Sequence, residues 1–283
     1  MTLLKFYKGY DCLKHIMDMY IFILEKNGIK CDIENVINTD DNIWIGIFNS
    51  GNFPKKFIMV NTEPLNLDYY KNILKDVINN SLFIIDYSYG NENIYKDMNI
   101  SNYFILPVAY CAYHEQINIY SNLSVNQDID ILFYGALTDR RKNFLNALKP
   151  FLNKNNINIL VRDNDLYDYK EKSYILSRTK IVITIASRDP KILKTNDMFR
   201  LSFLLSNKIF FIAEKIGDTI IEDDIFGDYI EYYSKMEELQ DKILYYIKNE
   251  EKRKDKANKL YEYSKLNYNI ENLFPIEKIK LLI

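Results

Sequence analysis

The sequence predicts an α/β protein built from two doubly wound domains, each with a mostly parallel sheet. Short apolar runs alternate with helical segments along most of the chain, which is typical of βαβ units. A polar stretch from Tyr110 to Gln127 breaks this alternation once, and the same scheme resumes after it. The 283 residues suffice for two compact domains with separate cores. We therefore predict two domains, at 1–115 and 116–283. Whether the last helix packs back on the first domain is left open.

The first half alternates predicted strands with predicted helices. An amphipathic helix from Cys12 to Lys26 ends at Asn27-Gly28, and a second helix spans Tyr69 to Asn79. The apolar runs that predict strands are Ile29–Ile33, Ile43–Phe48, Phe57–Val60, Leu82–Ile85 and Phe104–Pro107. Because helices separate most of these runs, the strands are expected to lie parallel in one sheet.

The second half repeats this order. The predicted strands are Ile129–Tyr134, Ile157–Val161, Lys180–Ile185, Lys208–Ala213 and a short Tyr229–Tyr232. The predicted helices are Arg140–Asn153, Leu166–Ser177, Asp197–Ser206 and a helical region from Lys235 to about Leu266. A ligand is expected in a cleft between the two domains.

Composition excludes several classes of protein. The net charge of −2 and the pI of about 5.9 give no bulk positive field, so no nucleic-acid partner is expected. Three dispersed cysteines favour a reducing, cytoplasmic compartment. The apolar segment Ile16–Leu24 is too short for a transmembrane span, and the start of the chain lacks a signal-peptide pattern. With only His15 and His114 available, we expect no histidine-based metal site.

The stretch from Asp130 to Arg141 is the most informative in the chain. An apolar strand ends at Gly135, a short polar turn includes Thr138, and Arg140 and Arg141 open a helix. Backbone N–H groups, a helix N-terminus and guanidinium groups would then meet at the carboxyl end of a strand, which suits a phosphate-bearing ligand. The alternative is that both arginines are surface residues of a first helical turn.

Two further positions of the second half would converge on the same edge of a parallel sheet. Thr195 and Asn196 are N-cap candidates, with Arg200 one turn into the helix that follows. Glu214 and Asp218 come after the next strand, where a carboxylate can accept both hydroxyls of a ribose. The alternatives are a surface ion pair for Arg200 and a solvated loop for Glu214.

Several stretches, in this order, resemble the donor domain of GT-B-type glycosyltransferases: Asp130–Arg141, Tyr174–Thr184, and Arg200–Lys208 through Glu214 and Asp218. Stretches of the first half, Asn61–Leu65, Asp86–Asn91 and Leu106–Tyr110, look like landmarks of the acceptor domains in bacterial and viral members. The resemblance covers most of the chain. It implies two Rossmann-like domains that face each other across a cleft, in a GT-B-like α/β fold.

The resemblance implies a hexosyl- or pentosyltransferase that moves a sugar from a UDP- or GDP-linked donor to a hydroxyl of a glycan or glycoconjugate, with no cofactor and no bound metal. Gly135, Thr138, Arg140 and Arg141 match its donor loop, and Arg200, Glu214 and Asp218 match its later helix and strand-end positions. Many members carry two glutamates separated by seven residues late in this domain. We interpret Ile221 as the position that pairs with Glu214 and Glu222 as one residue further, so the pattern is expected to be incomplete here.

Three residues of the first half or the connection are candidates for the catalytic base. Glu63 and Asp86 each follow a short apolar strand, and His114 lies near the crossover between the domains. Each has a structural alternative: Glu63 and Asp86 as caps of turns, and His114 as an ordinary surface residue.

Two alternative functions stay open. One is a non-catalytic nucleotide- or glycan-binding module with a degenerate transferase fold. The other is a metal-dependent GT-A enzyme, in which Asp163 and Asp165 hold a divalent cation on the donor diphosphate. The chain lacks the GxGxxG, GxxxxGK[ST] and GxSxG patterns, which argues against a classical dinucleotide oxidoreductase, a P-loop NTPase and an α/β-hydrolase.

Overall fold

The computed structural model describes residues 3–7, 13–38, 41–49, 51–107, 109–118, 125–163, 166–193, 195 and 198–283. The chain forms two compact units. The first comprises Met1–Val108 together with Ile270–Ile283, and the second comprises Ala109–Asn269. Each unit contains one parallel sheet with helices in the connections. The prediction of an α/β chain with two Rossmann-like domains is therefore confirmed.

The first unit is built on a six-stranded sheet in the order β2-β1-β3-β4-β5-β6. Its strands are β1 (Leu3–Tyr7), β2 (Lys30–Glu34), β3 (Trp44–Gly46), β4 (Phe57–Asn61), β5 (Phe83–Asp86) and β6 (Tyr103–Ile105). Its helices are α1 (Lys14–Lys26), α2 (Asp68–Asn80), α3 (Glu92–Asp97), α10 (Ile270–Leu273) and α11 (Ile276–Leu282). All paired strands of this sheet run parallel.

Strand β1 was not predicted, although it lies inside the sheet between β2 and β3. Leu4 and Phe6 are fully buried, whereas Lys5 between them pairs with Glu34 and lies over the Trp44 ring. The lysine therefore interrupts the apolar run without interrupting the strand, because its long side chain carries the charge to a partner at the sheet surface. Helix α3 was also absent from the prediction.

The second unit contains a five-stranded sheet in the order β8-β7-β9-β10-β11. Its strands are β7 (Ile129–Tyr134), β8 (Ile159–Arg162), β9 (Thr179–Thr184), β10 (Phe211–Glu214) and β11 (Glu231–Tyr233). Its helices are α4 (Ala112–Gln116), α5 (Asp139–Lys154), α6 (Tyr169–Ser177), α7 (Met198–Ser206), α8 (Met236–Lys248) and α9 (Glu250–Asn267). Strand β7, predicted with the same bounds, is buried along its whole length because helices cover both faces.

The strand order reverses direction between β7 and β9. The chain leaves β7 toward β8 on one side, then crosses to β9 on the other, so the loops after β7 and β9 diverge from a common point. Ligands of doubly wound sheets bind at such a switch point, outside the carboxyl ends of the strands. The topology alone therefore predicts a ligand site at the loops that follow Tyr134 and Thr184.

The polar stretch predicted as the interdomain connection contains helix α4, and residues 119–124 within it lie outside the described residues. Residues from Ala109 onward belong to the second unit, a few positions earlier than the predicted boundary at 115/116. The Ser202 hydroxyl of α7 donates to the Ala109 carbonyl, and His114 is fully buried beside α7. These contacts explain why this segment joins the second unit.

The segment Ile270–Ile283 belongs to the first unit although it follows the second in sequence. Phe274 packs edge-on against Tyr20 of α1 with ring centroids 5.4 Å apart, and Glu271 pairs with Lys26. Ile270 and Ile279 are fully buried. Among the described residues, no helix combines the length and apolar character that a membrane crossing requires.

Candidate functional site

The loops after β7 and β9 are joined by side chains of the first turn of α5. Thr138 is the N-cap of α5, and its hydroxyl accepts a hydrogen bond from the Arg141 N–H at 3.4 Å. The same hydroxyl donates to the Ser187 carbonyl of the loop after β9 at 3.0 Å. Thr138, predicted as a donor-loop residue, thus caps its own helix and anchors the neighbouring loop.

Arg141 holds the same two loops from inside the unit. It is 6% exposed, and its Nε donates to the Ile185 carbonyl at 2.8 Å while Nη1 donates to the Ala136 carbonyl at 3.0 Å. Its guanidinium also lies over the Phe133 ring, 5.6 Å from the centroid. The guanidinium therefore supports the loops after β7 and β9 from inside the unit, and its burial rules out the alternative of a surface residue.

Arg140 and Glu214 form an ion pair at the same edge of the sheet. Arg140 Nη1 lies 2.9 Å from Glu214 Oε2, and Nη2 contacts Oε1, so the pair is bidentate. Glu214 also accepts from the Ala186 N–H at 2.7 Å, and Arg140 donates to the Ala186 carbonyl at 2.7 Å. Arg140 and Glu214 were both predicted for the site, and the structure places them in direct contact with each other.

Gly135 and Arg200 are in direct contact at the carboxyl end of β7. Gly135 has a φ of +132°, and a Cβ on it would lie 2.6 Å from Arg200 Nη2. The Arg200 guanidinium also stacks over the Tyr134 ring, 5.1 Å from its centroid. The absence of a side chain at Gly135 is therefore what lets the guanidinium lie against the loop, and both residues were predicted for this site.

The loop after β10 contributes two buried carboxylates. Asp218, one of the predicted residues, is 3% exposed and accepts from the Ile221 N–H at 3.3 Å. Glu222 is 1% exposed and accepts from the N–H groups of Ile216 and Gly217 at 2.6 and 3.0 Å. Burial raises the pKa of Glu222 to about 7, against the opposing effect of those two N–H groups.

Glu222 was not predicted as a site residue. Seven residues separate it from Glu214, so the expectation of an incomplete two-glutamate pattern is wrong, and this spacing is the sequence signal that points to Glu222. Of the remaining predicted positions, Thr195 is buried at 4% exposure, and Asn196 lies outside the described residues.

Asp86 lies at the end of β5 in the first unit and is fully buried. Its carboxylate accepts hydrogen bonds from the Asn61 and Asn91 amides, the Ser88 N–H and the Tyr95 hydroxyl, at 2.6 to 3.1 Å. Burial raises the pKa of Asp86 to about 6, and these hydrogen bonds act against the rise. Asp86 is therefore the central acceptor of a buried hydrogen-bond network, and it orients the side chains that donate to it.

Glu63 lies next to this hydrogen-bond network, in the turn after β4. Its carbonyl accepts from the Asn61 and Asn91 amides at 2.9 and 3.0 Å, and its N–H donates to the Asn61 side chain at 3.2 Å. The Glu63 backbone is thus fixed by the Asn61 and Asn91 amides, which also donate to the Asp86 carboxylate. Its side chain is half-buried, so of the first-unit candidates Glu63 is the one with solvent-accessible surface.

His114, the third base candidate, lies in α4 of the second unit and is fully buried. Its Nδ1 is 3.2 Å from the Ser202 hydroxyl, and its ring lies 5.4 Å from the Phe203 ring. The Asn207 amide donates to its carbonyl at 3.2 Å. These contacts place His114 in the packing between α4 and α7.

The Asp-x-Asp pattern is only partly described, because Asp165 lies outside the described residues. Asp163 is exposed and accepts from the Leu137 N–H at 2.8 Å, so it supports the turn after β7. Among the described residues, no group of three or more histidine, cysteine or carboxylate side chains is arranged to hold a metal ion.

Solved structures with the same fold are glycosyltransferases and a related domain. An alpha-glucosyltransferase solved with UDP and a 13-mer DNA is 10% identical, with a TM-score of 0.61 and coverage of 99% of each chain. S. aureus TarM, solved with UDP, alpha-GlcNAc-glycerol and Fondaparinux, is 15% identical, with a TM-score of 0.53 over 94% of this chain and 58% of that one. The N-terminal domain of Candida albicans trehalose-6-phosphate phosphatase is 11% identical, with a TM-score of 0.54 over 95% and 75%.

At these identities the likeness shows the fold, and it confirms the GT-B-like glycosyltransferase fold suggested by the sequence. Two uncharacterized proteins of Acanthamoeba polyphaga mimivirus are related in sequence. One is 28% identical over 192 residues, which is 65% of this chain and 62% of that protein, and the other is 29% identical over 154 residues, which is 49% and 20%. The chain thus spans about three fifths and one fifth of these curated relatives. No protein-family model matches the sequence.

Proposed function

We propose that this chain is a glycosyltransferase that binds a nucleotide-diphosphate sugar in its second unit and transfers the sugar to a hydroxyl of a glycan or glycoconjugate. The observation that carries the proposal is the Arg200 guanidinium lying on Gly135 at the topological switch point of a parallel sheet. A cation in direct contact with a glycine at the carboxyl end of β7 suits an oxyanion ligand. UDP complexes of proteins with this fold support the same ligand class.

The chemistry assigned to this edge is stabilisation of the leaving diphosphate. Negative charge on the diphosphate grows as the bond to the anomeric carbon breaks, so fixed cations and N–H donors favour the transition state over the ground state. Arg200 supplies the cation, and the N-terminus of α5 supplies oriented N–H groups. Metal independence is part of the proposal, because these groups perform the charge stabilisation that a divalent cation performs elsewhere.

The ribose hydroxyls are assigned to the loop after β10. Glu214 was predicted for this role, but its oxygens already bind Arg140 and the Ala186 N–H. Asp218 and Glu222 lie further along the same loop, and their oxygens accept hydrogen bonds from backbone N–H groups. We propose them as the acceptors for the ribose, with its hydroxyls donating to the second lone pairs of these carboxylate oxygens. Glu214 would then act by fixing Arg140 and the loop after β9.

The acceptor side is proposed for the first unit, with Glu63 as the general base. A base must carry an accessible carboxylate in a fixed position, and the hydrogen bonds that fix the Glu63 backbone provide the second condition. Asp86 is proposed to position Glu63 through Asn61 and Asn91 and not to accept the proton itself, because it is fully buried and both of its carboxylate oxygens already accept hydrogen bonds.

Calorimetry with UDP, GDP, ADP, CDP and dTDP tests the donor assignment. We expect one of them to bind with a dissociation constant in the micromolar range, and binding of none would overturn the proposal. The nucleotide that binds then selects the sugar donors for transfer assays, with glycans, glycoconjugates and duplex DNA as acceptors. A DNA product would replace the proposed acceptor class and leave the donor assignment standing.

A non-catalytic nucleotide-binding module is the second candidate. It is favoured by the complete burial of Asp86 and His114, which leaves Glu63 as the accessible base candidate. Hydrolysis or transfer of the matching sugar donor distinguishes the two functions. Tight nucleotide binding without release of sugar, even with a full acceptor panel, would establish the binding module.

A further inference from the structure

Lys172 is a buried cation in the first turn of α6. Its residue is 4% exposed, and its ammonium lies 5.1 Å from the Phe203 ring centroid and 5.8 Å from that of Tyr169. Within the described part of the chain, no carboxylate pairs with it and no acceptor takes a hydrogen bond from it. Burial, and to a lesser extent the neighbouring positive charge of Arg200, lower the pKa of Lys172 to about 8.

Other lysines with little exposed surface in this unit have carboxylate partners. Lys180 pairs with Asp130 at 2.7 Å, and Lys242 and Lys256 pair with Glu231 at 2.5 and 3.0 Å. Lys172 departs from this rule although it is the more deeply buried residue. Burial of an ammonium without a partner opposes folding, so the ligand-free fold gains nothing electrostatically from this charge.

The position of Lys172 coincides with the ligand-binding edge of the sheet. Helix α6 follows β8, which pairs with β7, and the first turn of a helix after a parallel strand lies at the carboxyl edge. Arg200, in the first turn of α7, is the charged group whose field acts on Lys172, and the same guanidinium contacts Gly135. The Arg200 side chain therefore links Lys172 to the donor loop.

We propose that Lys172 and Arg200 form an anion-binding pair that holds the diphosphate of a nucleoside diphosphate. This inference rests on the proposed function and adds Lys172 as a residue that binds the donor. A diphosphate placed against two adjacent cations neutralises their mutual repulsion, and it supplies the acceptors that the Lys172 ammonium lacks. The bound diphosphate would thus be the anionic partner that the Lys172 ammonium lacks in the ligand-free fold.

The protonation of Lys172 is coupled to this binding. Among the described residues, the titratable groups near it are Arg200 of α7, whose charge acts on it, and Tyr169 of its own helix, whose ring lies 5.8 Å away. His114 of α4 contacts the same Phe203 ring. Near pH 8 the ligand-free protein is therefore a mixture of charged and neutral Lys172. A bound diphosphate favours the ammonium, and binding at that pH therefore takes up a proton.

The test compares Lys172→Met, Lys172→Arg and Lys170→Met by calorimetry with UDP and with inorganic pyrophosphate. Lys170 lies on the same helix and is exposed, so it is the matched control for a lost lysine charge. We expect Lys172→Met to weaken both ligands about 10- to 100-fold, whereas Lys172→Arg keeps most of the affinity and Lys170→Met keeps all of it. Proton uptake at pH 8, measured in two buffers of different ionisation enthalpy, should vanish in both Lys172 variants.

The outcomes separate this inference from the proposed function. Wild-type affinity of Lys172→Met for UDP and pyrophosphate would overturn the anion pair and leave the donor site standing. Binding of pyrophosphate but of no nucleotide, with the same loss in Lys172→Met, would support the pair and overturn the proposed donor. Binding of neither ligand by the wild type would overturn both. Thermal unfolding of the ligand-free variants checks that each is folded, and Lys172→Met should not have a lower Tm.

Discussion

Arg140 and Glu214 close a bidentate ion pair across the carboxyl ends of β7 and β10, with Nη1 2.9 Å from Oε2. Glu214 is nearly buried, since its side chain is 6% exposed, whereas that of Arg140 is 27% exposed. The pair also includes both backbone groups of Ala186. Three loops of the candidate donor site are therefore fixed by one charged contact.

Removal of Arg140 should destabilise the second unit through Glu214. Arg140→Met leaves a nearly buried carboxylate without its cation, and we expect a loss of about 2–3 kcal/mol in the free energy of unfolding by urea. The matched control is Arg178→Met, because Arg178 and Asp128 form a bidentate pair that is more exposed. There the loss should be smaller, because solvent screens the attraction between exposed charges. Equal losses would show that the Arg140–Glu214 pair contributes no more than a surface pair.

Gly135→Ala should weaken donor binding by displacing Arg200. The new Cβ would lie 2.6 Å from Arg200 Nη2, and the φ of +132° strains any residue other than glycine. Gly28→Ala is the control, because Gly28 has a φ of +79° with no atom within 4 Å of an added Cβ. Both variants should unfold at lower urea concentration, but only Gly135→Ala should lose UDP affinity, by about 10-fold or more. Unchanged UDP binding in Gly135→Ala would remove Arg200 from the site.

Lys172 should make the stability of the ligand-free protein depend on alkaline pH. Its pKa is about 8 in the folded chain against an ordinary 10.5, so between these values the unfolded chain binds the extra proton. The free energy of unfolding should therefore rise with pH across this window, by on the order of 3 kcal/mol, and below pH 8 this lysine should contribute no further pH dependence because it is protonated in both states. Urea unfolding of wild type and Lys172→Met at pH 7 and pH 10 measures it.

The difference between the two proteins isolates this lysine, because the tyrosine hydroxyls titrate in both. Lys172→Met should be more stable than the wild type at pH 7 and similar to it near pH 10.5. A constant difference between the proteins at all pH values would contradict the lowered pKa of Lys172 in the folded chain.

Glu63→Gln should slow transfer without weakening donor binding. The amide keeps the shape of the side chain but cannot accept the proton of an acceptor hydroxyl, so kcat should fall about 10²- to 10⁴-fold. UDP affinity by calorimetry should stay at the wild-type value, because Glu63 belongs to the first unit and the proposed donor site to the second. The control is Glu277→Gln, an exposed glutamate of the first unit. A kcat within threefold of wild type would exclude Glu63 as the base.

The fold was predictable where burial leaves a continuous apolar run. Strand β7 was predicted with its observed bounds, and β4 and β5 within a residue or two, since all of their residues are buried. Strand β1 was missed because Lys5 breaks its apolar run and reaches a partner only in the folded sheet. The pattern of apolar and polar residues does not show which lysine will form an ion pair with a carboxylate that is distant in sequence.

The candidate site was predictable in composition more than in arrangement. Gly135 and Arg200 were found from residue types and their positions after strands, and the structure places them in contact. The pairing of Arg140 with Glu214 joins positions 74 residues apart, which no local pattern encodes. Lys172 lies among Tyr169, Lys170 and Glu171 in a sequence that reads as a solvated helical turn, and only its packing against α7 shows its burial.

The return of residues 270–283 to the first unit has a consequence for biosynthesis. A ribosome releases β1 to β6 well before this segment, so the nascent first unit must wait, with Tyr20 and its neighbours on α1 uncovered, until the whole second unit has emerged. The second unit is contiguous in sequence and can complete its own core during that interval. We therefore expect the order of folding to run against the order of synthesis, and chaperones that bind nascent chains should meet the first unit.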